Sequence, residues 1–76
     1  MEPHAHTLAS LIEQLGLNSQ TTSIEHFIND HKGIPGDVEL HQAEFWNASQ
    51  AAFLKQMKED DADWAGVIDQ LDVMLR

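Results

Sequence analysis

The chain has 76 residues, thirteen Asp and Glu against four Lys and Arg, a formal charge of −9 and no cysteine. The missing cysteines exclude disulfides, thiolate chemistry and Cys-ligated zinc. The charge leaves no basic patch to hold the phosphates of nucleic acid or an anionic membrane surface. This length allows one domain, 1–76, with 42% hydrophobic residues for a single small core.

Apolar residues recur at helical spacing in four segments, and strand-like alternation is nearly absent. The first segment runs from Thr7 to Leu15, with Leu8, Leu11, Ile12 and Leu15 on one face. Thr7 suits the N-cap, and Gly16 suits the left-handed position that ends a helix. The second runs from Gln20 to His31 with the stripe Ile24, Phe27 and Ile28. Ser19 is its expected N-cap, with Thr22 and Glu25 as an alternative capping box. The short link at Leu17–Asn18 makes the first two helices expected neighbours.

A loop follows from Lys32 to Leu40, in which Pro35 and Gly36 are expected at the two central positions of a β-turn. Val38 and Leu40 anchor it to the core, and a short extra helical turn is expected within 42–45. Asn47 and Gln50 form a capping box for the third helix, whose stripe is Phe53, Leu54 and Met57. Ala48, Ala51 and Ala52 would let another helix approach closely. The last helix spans Ala62 to Leu75, capped by Asp61 or Asp60. On it Trp64, Ile68, Leu71 and Leu75 line one face, flanked by Val67 and Met74. The expected fold is all-α: four main short helices, arranged as two helical hairpins joined by the Pro/Gly loop.

Three constellations could carry chemistry. The segment 61–72 partly fits a twelve-residue calcium loop, with Asp61, Asp63, Asp69 and Asp72 at ligand positions and Gly66 at the turn. Ala65 replaces one ligand and Asp72 is shorter than the usual Glu. The apolar stripe also demands unbroken helix through the supposed loop. His26 and Asp30 lie one helical turn apart, and His4 and His6 could chelate weakly, but neither set supplies the three or four ligands zinc needs. No phosphate loop, nucleophile elbow or HExxH motif is present, and a helix-turn-helix reading of the first two helices fails because the second has Glu25 and Asp30 where DNA readers carry Arg or Lys. Trp46 precedes a helix cap, so it is either a hydrophobic staple or an exposed interaction residue.

Several separated segments carry a family likeness. The opening Met-Glu-Pro-His-Ala-His-Thr-Leu, Leu15-Gly16-Leu17, Phe45-Trp46, Gln50-Ala51-Ala52-Phe53-Leu54, Asp61-Ala62-Asp63-Trp64-Ala65 and Asp69-Gln70-Leu71-Asp72 resemble a bacterial family of short proteins of unknown function, domain-of-unknown-function family 2789. The resemblance covers nearly the whole chain and implies a small stand-alone bacterial protein. It brings no activity, cofactor or catalytic residue.

The expectation is a non-catalytic protein-interaction module with no cofactor, working as monomer or homodimer, with Trp46 as interaction candidate. Its partner would be a protein rather than nucleic acid or membrane. The start lacks the basic and apolar regions of a signal peptide, so a cytoplasmic location is expected. The alternative is a divalent-cation binder through Asp61, Asp63, Asp69 and Asp72.

Overall fold

The computed structural model describes residues 6–76. Four α-helices follow in order: α1 Leu8–Gln14, α2 Thr21–His31, α3 Ala48–Asp60 and α4 Ala62–Leu75, with a 3-10 turn at Leu40–Gln42 before α3. The described residues contain no strand. The fold is therefore all-α, and α4 is its hub: α1, α2 and α3 each pack against it. The α3–α4 pair forms the closest contact, as their one-residue link at Asp61 requires.

Local hydrogen bonding explains why the helices start and stop where they do. The Thr7 hydroxyl accepts the Ser10 amide at 3.1 Å and opens α1. At its end, Gly16 adopts φ +77, its amide bonds the Glu13 carbonyl, and the Leu17 amide reaches back to the Ile12 carbonyl. These two bonds satisfy carbonyls that a helix end otherwise leaves bare. Asn47 and Gln50 form the expected reciprocal box at the head of α3. Asp61 caps α4 by accepting from the Asp63 and Trp64 amides.

Four local expectations shift. Ser19 does not cap α2. Its hydroxyl donates to Glu13 at 2.7 Å, Asn18 accepts the Gln20 amide, and Gln20 stands at the N-cap without a side-chain bond. The β-turn begins one residue later than expected. The Val38 amide bonds the Pro35 carbonyl, so Gly36 and Asp37 take the centre. The reason is that Ile34 is buried and its amide is tied to α4, which holds the chain extended up to Pro35. The extra turn falls at Leu40–Gln42 rather than 42–45, held by the Gln42 side chain accepting the Glu39 amide. Trp64 lies half-buried at the margin of the core, edge-on to His6 and Phe53, rather than at its centre.

The core draws most on α4 and α1. Leu11, Ile12, Leu54, Ile68, Leu71 and Leu75 are essentially sealed from water, each worth about 1.5–3 kcal/mol relative to exposure. Helix α2 contributes no fully buried residue; Ile24, Phe27 and Ile28 are only half-buried against this core.

Long-range bonds close the bundle. The Leu75 carbonyl at the end of α4 accepts from both Gly33 and Ile34, at 2.7 and 3.0 Å. Arg76 donates through Nη1 to the Pro35 and Val38 carbonyls at 2.6 and 2.7 Å, and through Nε to Asp72 at 2.8 Å. The loop after α2 is thereby fastened to the tail of α4. Likewise the Gln50 amide donates to the Leu15 carbonyl at 2.8 Å, joining the head of α3 to the tail of α1.

Candidate interaction surface

The acidic segment proposed for calcium is a correction that the fold imposes. Helix α4 runs unbroken from Ala62 to Leu75, so 61–72 cannot fold into a loop around an ion. Asp61 and Asp72 are eleven residues apart, about 16 Å along a helix axis. Each of the other acids has separate work or a separate place. Asp63 sits in the first turn of α4, Asp69 pairs with Lys58 and Asp72 with Arg76. Among the described residues no group of three or more His, Asp or Glu could hold a metal ion. His4 lies outside the described residues. His26 and Asp30 are both exposed on α2, and no hydrogen bond links them.

Trp46 is also placed differently from the contact residue considered above. It is 8% exposed, and its indole N–H donates to the Leu40 carbonyl at 2.8 Å. With its one polar group satisfied inside, it is core rather than contact surface.

What Trp46 supports is nearer the surface. Phe27 and His31 stand one turn apart on α2, so their rings share a face, with centroids 4.4 Å apart. The His31 Nδ1–H donates to the Phe27 carbonyl at 2.9 Å, since a carbonyl can only accept. Phe45 leans in from the loop, 4.5 Å from His31, 5.9 Å from Phe27 and 4.8 Å from Trp46. Phe27 is 5.6 Å from Trp46. Trp46 is thus the buried base, and Phe27, His31 and Phe45 form a partly buried aromatic layer above it.

This layer lies between two clefts. One, of about 300 Å³, is bounded by Ile12, Leu17, Phe27, Asp30 and His31. The other, of about 310 Å³, is bounded by His31, Ile34, Val38, Glu44 and Phe45. His31 borders both, and the pair of clefts is the trough at the end of α2. Asp30 stands in the first cleft and Glu44 with Lys32 in the second, and none of the three makes an ion pair among the described residues. In the sequence His31 stands out only as the last residue of the second helix. The available signal was the spacing of Phe27 and His31 on one helix, but nothing local placed Phe45 beside them.

A third cleft, of about 380 Å³, lies between the 3-10 turn, α3 and α4. Its floor is Leu40, Leu54 and Ile68, and Lys55, Lys58 and Arg76 line it. All three cations are already paired, with Glu59, Asp69 and Asp72. The hydrogen bonds that Lys55 and Lys58 donate to Glu59 and Asp69 hold their ammonium groups above the usual lysine range. The cleft is an internally neutralised patch.

Fold and surface together define a small all-α domain carrying an aromatic trough at the end of α2. Residues 1–75 match the family model described as "Protein of unknown function (DUF2789)", and the chain belongs to that family. No curated protein matches it. A similar solved structure is the solution NMR structure of protein CV0237 from Chromobacterium violaceum, a structural genomics target. It is 43% identical over 95% of this chain and 90% of that chain, with a TM-score of 0.79. No helix is long and apolar enough to cross a membrane among the described residues.

Proposed function

We propose that this protein is a non-catalytic interaction module of the bacterial cytoplasm that binds a partner protein, and neither nucleic acid nor a membrane, through the trough at the end of α2. The observation that carries this reading is the state of α2. It is an eleven-residue amphipathic helix without one fully buried residue, and its apolar stripe runs into the partly buried rings of Phe27, His31 and Phe45. A helix packed only within its own domain normally turns its stripe fully inward. Aromatic side chains that keep part of their surface in water over a buried base suit interface anchors. The polar residues near the trough, His26 and Asp30, are exposed and unlinked, whereas general acid–base chemistry requires groups held within hydrogen-bond reach and enclosed.

The test is a photo-crosslinking residue placed at Phe45, with Glu59 as the control position on the opposite cleft, in lysate of the native cells. A discrete protein adduct from position 45, absent from position 59, is the expected result. Adducts from neither position, together with turnover of a small molecule abolished by His26→Ala, would overturn the reading.

A further inference from the structure

We infer that α2 is a detachable helix: between the glycine turns at Gly16 and Gly33 it leaves the domain and unwinds as one unit while α1, α3 and α4 stay folded. This device goes beyond the interaction reading and does not depend on what meets the trough.

Local chemistry gives α2 little tendency to be helical by itself. Its eleven residues read Thr-Thr-Ser-Ile-Glu-His-Phe-Ile-Asn-Asp-His, and Glu25 is the one strong helix former among them. β-Branched and aromatic side chains lose rotamer freedom against the preceding turn, while Ser, Asn and Asp compete for backbone hydrogen bonds. The N-cap, Gln20, makes no side-chain bond, and no acid stands in the first turn. Helix α3 is the contrast: it is rich in Ala, Gln and Lys and opens on the Asn47–Gln50 capping box. An isolated helix shorter than about 12 residues is marginal in water even when alanine-rich. Once detached, α2 therefore melts.

Tertiary structure adds only one kind of attachment. Among the described residues no side-chain hydrogen bond or ion pair joins α2 to another element, and the bond from His31 stays within the helix. The hold is apolar. Phe27 rests on Trp46 and Phe45, and Ile24 and Ile28 are partly buried against the core. Opening gives up these contacts and regains the conformational entropy of eleven residues. None of the six sealed core residues, Leu11, Ile12, Leu54, Ile68, Leu71 and Leu75, comes from α2, so the centre of the core is kept when α2 leaves.

Both flanks are fastened without α2, which sets the limits of the unit. Before it, Gly16 at φ +77 and the Leu17 amide close the end of α1 on Glu13 and Ile12. After it, Gly33 stands at φ +105, and the Gly33 and Ile34 amides bond the Leu75 carbonyl. Arg76 holds the Pro35 and Val38 carbonyls beyond. Segments that open locally are those with few buried apolar contacts between better-fastened neighbours.

The experiment is native-state amide hydrogen exchange on the full chain, read by NMR in water and in urea below the unfolding midpoint. The amides of Glu25, Phe27 and Ile28 are expected to share one opening, with protection about a hundredfold below that of Ile68 and Leu71. Their common urea dependence should be shallower than that of the core amides but not zero, because a helix and its contact face become exposed. Gln20→Ser supplies the missing cap oxygen and keeps the fold. It should slow exchange throughout α2 about fivefold and leave Ile68 and Leu71 unchanged. Arg76→Ala should speed exchange at Val38 and leave the α2 amides as they were.

Equal protection and equal urea slopes for α2 and the core amides would overturn the inference, since α2 would then open only with the whole molecule. So would protection that rises smoothly from the helix ends with no urea dependence, which is fraying rather than release of a unit. A Gln20→Ser variant that slows α2 and core alike, or an Arg76→Ala variant that speeds α2 together with Val38, would overturn it as well.

Discussion

Gln50 is the side chain with the most varied duty. Its Oε1 accepts the Asn47 amide, its own amide N–H is capped by Asn47, and its Nε2 donates to Leu15 thirty-five residues earlier. Gln50→Ala removes one side of the capping box and the side-chain bond that joins the head of α3 to the tail of α1. A loss of about 1–2 kcal/mol is expected in urea-melt stability, the sum of a cap and one neutral hydrogen bond. Gln50→Glu should recover the capping part alone, because a carboxylate accepts the Asn47 amide but cannot donate to Leu15. Arg76 is a second multi-point contact. Its planar fork serves two loop carbonyls and Asp72 together, a geometry that a lysine ammonium does not reproduce. Arg76→Lys is therefore expected to speed hydrogen exchange at the Val38 amide while leaving the α1 amides unchanged. Equal protection in the variant would show that the loop is held by Ile34 alone.

At the scale of elements, the helices divide by how deeply their stripes are buried. Leu71 on α4 is 0% exposed and Ile28 on α2 is half-buried. Leu71→Ala should cost about 2–5 kcal/mol, the range for emptying a sealed site. Ile28→Ala should cost clearly less, because part of its surface faces water before the change and little cavity is created. Comparable losses in chemical denaturation would mean that α2 is as integral to the core as α4, and would remove the ground for treating it as a binding element. Helix α4 itself was readable from the chain: the capping acid, the acidic first turn and the apolar stripe all act within four residues of one another. The same stripe ruled out the calcium loop, since a ligand loop and a continuous helix cannot occupy one segment. The burial of α2 was not readable, because its stripe of Ile24, Phe27 and Ile28 looks as inward-facing as any other until its neighbours are known.

For the whole molecule, the pairing of Lys58 with Asp69 joins α3 to α4. The hydrogen bond that Lys58 donates to Asp69 is the main cause that raises its ammonium above the usual 10.5. A raised value in the folded state means that this contribution is complete below pH 10.5 and disappears as pH climbs through the folded value. Thermal stability should therefore fall in that alkaline range. Lys58→Met should flatten part of the decline. The effect will be small, since 47% of the Lys58 side chain faces solvent. An unchanged alkaline profile in Lys58→Met would show that the pair contributes nothing measurable.

By itself, the sequence determined the helices and most of their ends. Thr7, Gly16, Asn47 with Gln50, and Asp61 each act on backbone groups within a few positions, so their chemistry is complete in a short stretch of chain. Membership of the family was legible in the same way, from segments matching in order. Only the tertiary structure decided which apolar and acidic groups stay at the surface. Trp46 went under Phe27 and Phe45 because its N–H found the Leu40 carbonyl, and Asp69 and Asp72 became ion-pair partners because Lys58 and Arg76 lie beside them. Burial and pairing depend on what packs opposite a residue, and the chain's local pattern does not specify that neighbour. The trough at His31 exists for this reason: it is assembled from α1, α2 and the loop, none of which carries it alone.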